Sequence, residues 1–211
     1  WEFLLTAPPL KVTGGIGSGK SRATALFGEL GADVVDTDDI SHEITAAGGS
    51  AIPALIKAFG AATVAADGGM DRAAMRRLVF ENPDARKRLE NILHPQIRER
   101  ARNRVMASTA PYVLLVVPLL LETGSYRDLI RRVLVIDCDE SLQISRAMQR
   151  SNLTADAVRA IMAAQLPRQQ RLAGADDVIR NDGDIAELRA QVTGLHQQYL
   201  KLAANGSSGS R

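Results

Sequence analysis

Cysteine is almost missing from this chain, with Cys138 the single instance in 211 residues. One thiol excludes an intramolecular disulfide framework and a Cys-rich zinc site, and it suits a reducing compartment. Histidine is nearly as scarce: His42, His94 and His196 are far apart and lack the carboxylate or cysteine spacing of a metal cage. Aromatic residues make up 4% of the chain, too few for an obvious base-stacking platform. No excess of one charge exists either, since 26 Lys and Arg against 24 Asp and Glu leave a net +2 with no long basic tract. Nucleic-acid binding is therefore not expected. The main apolar run, Val113 to Val117 and then Leu119 to Leu121 after Pro118, is too short and interrupted to cross a bilayer and reads as a buried strand. Residues Trp1 to Leu10 carry no basic leader, so a secretory signal is not expected and a cytoplasmic location is the default.

What the chain does have is the run Gly14-Gly15-Ile16-Gly17-Ser18-Gly19-Lys20-Ser21, which fits the phosphate-loop pattern G-x-x-x-x-G-K-[ST] at every fixed position. Each residue type has its own task. The glycines let successive backbone N–H groups turn toward one point, Lys20 brings a mobile cation for the outer phosphates, and Ser21 offers a hydroxyl ligand to Mg²⁺. After Ser21, the apolar residues Ala23, Leu26, Phe27 and Leu30 recur at helical spacing and Gly31 supplies a stop. The loop thus opens a helix whose free N–H groups and positive dipole end face the phosphates.

Short apolar strands alternate with helical stretches. The segments Asp33 to Asp36, Tyr112 to Val117, Val133 to Asp137 and Asp177 to Ile179 read as strands of an α/β parallel sheet. The fold expected is a three-layer P-loop NTPase fold with a five-stranded parallel sheet. Its nucleotide-binding core takes residues 1–40, 110–140 and 175–204, interrupted by a helical substrate-binding insertion at 41–109 and a helical lid at 141–174. The lid bears Arg146, Arg150, Arg159, Arg168 and Arg171. A last helix runs from about Ile185 to Leu202, and 205–211 is a flexible Gly/Ser tail.

Asp36 and Asp38 follow at the end of the second strand, where ligands of parallel sheets bind. Phosphoryl transfer to an alcohol needs a carboxylate to orient the hydroxyl and accept its proton, and Asp38 is the first candidate. The competing reading is that Asp38 or Asp39 caps a helix starting near Ile40. Arg146 and Arg150, one helical turn apart, suit a phosphate clamp, although a solvated helix face gives the same pattern. No carboxylate closes the run ending at Val117, and Glu122 comes only after Pro118-Leu119-Leu120-Leu121, so a second Mg²⁺ contact stays open.

Five segments together, TGGIGSGKS at Thr13 to Ser21, VVDTDDI at Val34 to Ile40, LHPQIRER at Leu93 to Arg100, VVPLLLETG at Val116 to Gly124 and ADDVIRNDGD at Ala175 to Asp184, resemble the dephospho-CoA kinase family in order and spacing. The resemblance spans about Leu10 to Leu202. It implies ATP-dependent phosphorylation of the ribose 3′-hydroxyl of dephospho-CoA, the last step of coenzyme A synthesis, with ATP and Mg²⁺ as cofactors. It further implies that Gly14, Gly15, Ile16, Gly17, Ser18, Gly19, Lys20 and Ser21 bind the nucleotide together with Arg22, Arg146 and Asn181, the last of these lining the adenine pocket. Asp38 matches the base, and Arg150 the lid arginine that approaches the phosphates beside Lys20. Arg72, Arg76 and His94 fall in the region that receives the pantetheine-bearing substrate, Ser21 is the metal contact, and a monomer or weak homo-oligomer is expected. For His94, before Pro95 at a helix junction, a structural role is the competing reading.

The departures from the family lie near the start. Pro8-Pro9 and Lys11 sit where a central strand belongs, so the first strand is expected to be short or displaced, and Arg22 replaces a second hydroxyl residue. Two rival readings remain at this level: a P-loop kinase acting on a nucleotide or nucleoside, and a nucleotide-binding protein without catalysis.

Overall fold

The computed structural model describes residues 9–117, 130 and 132–206. Pro8, the segment from Pro118 to Gly124 with Glu122, and residues 207–211 of the expected tail lie outside the described residues. Two compact units are present, residues 1–35 with 104–211, and residues 36–103.

The first unit is built on a five-stranded parallel sheet in the order β2-β3-β1-β4-β5. Its strands are β1 (Leu10–Thr13), β2 (Asp33–Asp36), β3 (Val113–Val116), β4 (Arg132–Asp137) and β5 (Asp177–Arg180). Central β1 pairs in parallel with β3, Val12 opposite Val116, and with β4, Val12 opposite Leu134. The first strand is short, as Pro8-Pro9 and Lys11 lead one to expect, but it is not displaced: its four residues pair on both sides. β1 begins at Leu10, directly after Pro9, so no proline has to donate to the ladder, and Lys11 is only half-buried.

Helix α1 (Lys20–Glu29) covers the sheet with Ala23, Leu26 and Phe27, at the spacing that puts them on one face, and Leu30 packs beside them. The last helix, α9 (Ile185–Gly206), adds Leu188, Val192 and Tyr199 to the same core and stacks the Tyr199 ring 6.0 Å from that of Phe27. It continues through Asn205 and Gly206, into the stretch expected as tail. Between β4 and β5 the chain forms α6 (Glu140–Ser151), α7 (Ala155–Ala163) and α8 (Arg168–Ala173).

The second unit is helical, with α2 (Thr37–Ile44), α3 (Ile52–Phe59), α4 (Arg72–Glu81) and α5, which spans Pro83–Ala107 and continues into the first unit. Ile40, Ile44, Leu55, Met75, Leu93 and Ile97 are among its buried apolar residues. Two sequence expectations are corrected here. Helix α2 starts at Thr37 rather than near Ile40, and its cap is Asp36, whose carboxylate accepts from the Asp38 N–H at 2.8 Å; neither Asp38 nor Asp39 caps it. His94-Pro95 is not a junction, because Pro95 lies inside the 25-residue α5. The exposed proline removes one N–H from the helix ladder, and next to the gap the Gln96 side chain donates to the Ile92 carbonyl at 3.2 Å.

Candidate active site

The turn from β1 into α1 has the shape that its glycines permit. Gly17 and Gly19 have φ of 71° and 90°, left-handed values that cost an L side chain strain, and a Cβ on Gly19 would also collide with the Asn181 carboxamide. Gly19 is the N-cap of α1 and no side chain caps that helix, so its N-terminal dipole is left for a ligand. Lys20 turns back over the loop, its Nζ donating to the Gly14 carbonyl at 2.7 Å and the Gly15 carbonyl at 3.2 Å. Ser21 and Arg22 are both exposed on the first turn.

The loop is held from below by residues distant in sequence. Buried Asn181, immediately after β5, donates from Nδ2 to the Ser18 carbonyl at 2.8 Å, and its backbone N–H reaches the Asp137 carbonyl at 2.8 Å. The Asn181 carbonyl in turn accepts from Arg146 Nη1 at 2.8 Å. Arg146 is thereby held by a neutral backbone carbonyl. Gly19, Arg22, Arg146, Asn181, Gly183 and Leu188 line a cavity of about 230 Å³ at this end of the loop.

On the other side, α6 packs Gln143 so closely that a side chain on Gly15 or Gly17 would meet it. Gln143 donates to the Cys138 carbonyl at 2.9 Å, while its Oε1 and the Ser18 hydroxyl are buried without a partner among the described residues. The free thiol of Cys138 is buried in this packing, and burial pushes it above its ordinary value. Gln165, between α7 and α8, accepts the Ile16 N–H at 3.1 Å.

The arginines of the lid segment divide by partner. Arg168 makes a fork to the buried carboxylate of Asp137 at 2.8 and 2.7 Å, which Arg180 also approaches at 3.1 Å. Arg159 pairs with Asp156 at 2.7 Å, and buried Arg171 donates to the Leu166 carbonyl. Arg150 is exposed on the last turn of α6.

In the helical unit, Asp38 is exposed just past its cap. Arg72, in the first turn of α4, donates to Thr45 Oγ1 at 2.8 Å. Partial burial and the like charge of Arg76, four residues on, hold the Arg72 guanidinium below its usual pKa. Two cations repelling each other on one helix face would be relieved by an anion. Burial also holds the half-buried His94 imidazole below its ordinary value, with Glu90 opposing and Arg98 adding to the effect.

Sequence reasoning missed Gln143, Gln165 and Asp137 as parts of the site. Nothing in their local pattern marks them, because each acts through a contact far along the chain. Among the described residues no cluster of three or more His, Cys, Asp or Glu could hold a metal ion, and no helix is long and apolar enough to cross a membrane.

Comparison with known proteins adds to this geometry. The family model for dephospho-CoA kinase matches residues 10–187. A dephospho-CoA kinase of Dechloromonas aromatica (strain RCB) is 61% identical over 193 residues, 92% of this chain and 93% of the relative. A solved protein of Thermus thermophilus aligns at 32% identity with a TM-score of 0.78, covering 90% of this chain and 97% of its own. The solved dephospho-CoA kinase from Campylobacter jejuni aligns at 26% identity with a TM-score of 0.64, covering 93% and 99%.

Proposed function

The chain belongs to the dephospho-CoA kinase family, and we propose that it transfers the γ-phosphoryl group of ATP to the ribose 3′-hydroxyl of dephospho-CoA, with Lys20, Asp38 and Arg150 as its catalytic side chains. The observation that carries this reading is the loop from Gly14 to Ser21, an uncapped helix N-terminus with an ammonium folded over it and a cavity at one end. Its amides cradle the triphosphate, and the adenine occupies the cavity beside Arg22, Arg146 and Asn181.

In the transfer, the ribose oxygen bonds to the γ-phosphorus, the bond from that phosphorus to the β,γ-bridging oxygen breaks, and ADP leaves. Asp38 orients the hydroxyl and accepts its proton, while Lys20 and Arg150 neutralise charge on the moving group and the departing ADP. Exposed Arg150 would reach the phosphates by movement of the lid segment. In the helical unit, Arg72 and Arg76 supply an anion site for the acceptor substrate, and the neutral imidazole of His94 provides a hydrogen-bonding contact.

Mg²⁺ bound with the nucleotide would supply Lewis-acid charge to the phosphate oxygens. Ser21 fits as the residue that holds it: its hydroxyl is a hard oxygen donor exposed on the first turn, while its carbonyl is occupied by Thr24 Oγ1 at 3.1 Å. The scarcity of cysteine, with the one thiol buried, supports a cytoplasmic enzyme.

The assignment of Asp38 is tested with Asp38→Asn. Loss of the proton acceptor lowers turnover by about a hundredfold or more while ATP affinity, measured by equilibrium titration, stays near that of the unaltered protein. Unchanged turnover removes Asp38 from the role.

A further inference from the structure

We infer that Gln165 is a further catalytic residue that holds the transferred phosphoryl group, donating from Nε2 to one of its oxygens while Oε1 remains bound to the phosphate loop. The inference rests on the kinase reading above and extends it to a side chain that neither the loop motif nor the lid arginines include.

Two landmarks orient the loop. The Lys20 ammonium, the cation that serves the outer phosphates, lies 2.7 and 3.2 Å from the Gly14 and Gly15 carbonyls, which marks this end as the outer one. The cavity lined by Gly19, Arg22 and Arg146 marks the other end as that of the base. Ile16 follows Gly15 directly, and its N–H is the group that Gln165 Oε1 accepts at 3.1 Å. A carboxamide from 149 residues away in sequence is therefore fixed at the outer-phosphate end.

A carboxamide has an acceptor and a donor about 2.3 Å apart, so anchoring the oxygen keeps the nitrogen close to the same end of the loop. Nε2 has no acceptor among the described residues, and the side chain is half-buried. The segment that presents it is tied at several points. The Gln165 N–H donates to Met162 O at 3.1 Å, and the Arg171 N–H to Pro167 O at 3.0 Å. Arg171 also holds the Leu166 carbonyl, and Arg168 grips Asp137 with a two-point fork. Such a donor is held beside the loop before substrate arrives, and a hydrogen bond to developing charge contributes most when its donor needs little reorganisation.

The test uses the full chain and measures equilibrium binding of ATP and of ADP together with turnover. Gln165→Ala should weaken ATP binding by roughly fivefold with ADP binding unchanged, and lower turnover by about tenfold. Gln165→Glu is nearly the same shape and still accepts from Ile16, yet sets a negative charge beside the outer phosphate, so it should impair ATP binding and turnover more than Gln165→Ala does. Equal losses for ATP and ADP, a Gln165→Glu variant that behaves like the unaltered protein, or a neutral Gln165→Ala would each overturn the inference. Absence of turnover with dephospho-CoA in the unaltered protein would count against the kinase reading instead, and the ratio of ATP to ADP affinity would still decide the role of Gln165.

Discussion

Asn181 unites the parts of the nucleotide site. Its carboxamide bonds the Ser18 carbonyl, its backbone N–H the end of β4 and its backbone carbonyl Arg146, so one residue ties both the loop, through its side chain, and the guanidinium beside the cavity, through its main chain. Asn181→Ala leaves the Ser18 carbonyl buried without its donor, a cost of about 1–3 kcal/mol. At this chain length that corresponds to a fall of roughly 2–10 °C in thermal midpoint, together with weaker ATP binding. Calorimetry and nucleotide titration check this, and an unchanged midpoint with unchanged affinity would show that the clamp is dispensable. At this scale, legibility follows sequence distance. Gly14 to Ser21 could be read because their tasks are carried by consecutive residues, whereas Gln143, Gln165 and Asp137 could not. Asn181 was found only through family resemblance, and as a lining of the adenine pocket; that it also holds up the loop depends on β5 lying beside β4.

Among the elements, α9 does most to secure the edge of the sheet. The Gln191 side chain satisfies both the N–H and the carbonyl of Arg180 on edge strand β5, at 2.9 and 2.7 Å, in place of a further strand. Tyr199 donates to Asp177 on β5 at 2.9 Å, and Arg132 on β4 donates to the same carboxylate, also at 2.9 Å. Burial alone would raise the Asp177 carboxyl, but the bonds from Arg132 and Tyr199 outweigh it and hold the pKa below the ordinary value. A carboxyl whose folded pKa is lowered contributes stability above its unfolded pKa, about 3.9, and loses it as pH falls through the lower folded value. Asp177→Asn should therefore reduce stability at neutral pH and flatten the loss on acidification below about pH 4. Denaturant titrations from neutral to acid pH check this, and parallel profiles for the two proteins would contradict it. Asp36 stands at a strand end where ligands bind, yet its carboxylate is spent capping α2; His94-Pro95 has the pattern of a helix junction, yet α5 runs through it. Tertiary packing overrides a local breaker when the remaining turns bury enough apolar surface, here Leu93, Ile97 and Ala101 on either side of Pro95.

For the whole molecule, the sheet order with β1 between β3 and β4 sets the phosphate loop at the carboxyl edge of the central strand, the position where parallel α/β sheets bind ligands. The alternation of apolar runs with helical patterns made that fold legible, and β1, though short, pairs on both sides in the central position. Composition alone did not select the acceptor substrate. Lysines and arginines balanced by carboxylates are compatible with many small anionic ligands, and the same core serves kinases with different acceptors. The most direct test of the central claim is ADP release by the purified protein with Mg²⁺–ATP in the presence of dephospho-CoA, adenosine, AMP or no acceptor. Release should depend on dephospho-CoA and equal the coenzyme A formed, with the other acceptors near the background rate. Equal or greater release with AMP or adenosine, or none with any acceptor from folded protein that still binds ATP, would contradict it.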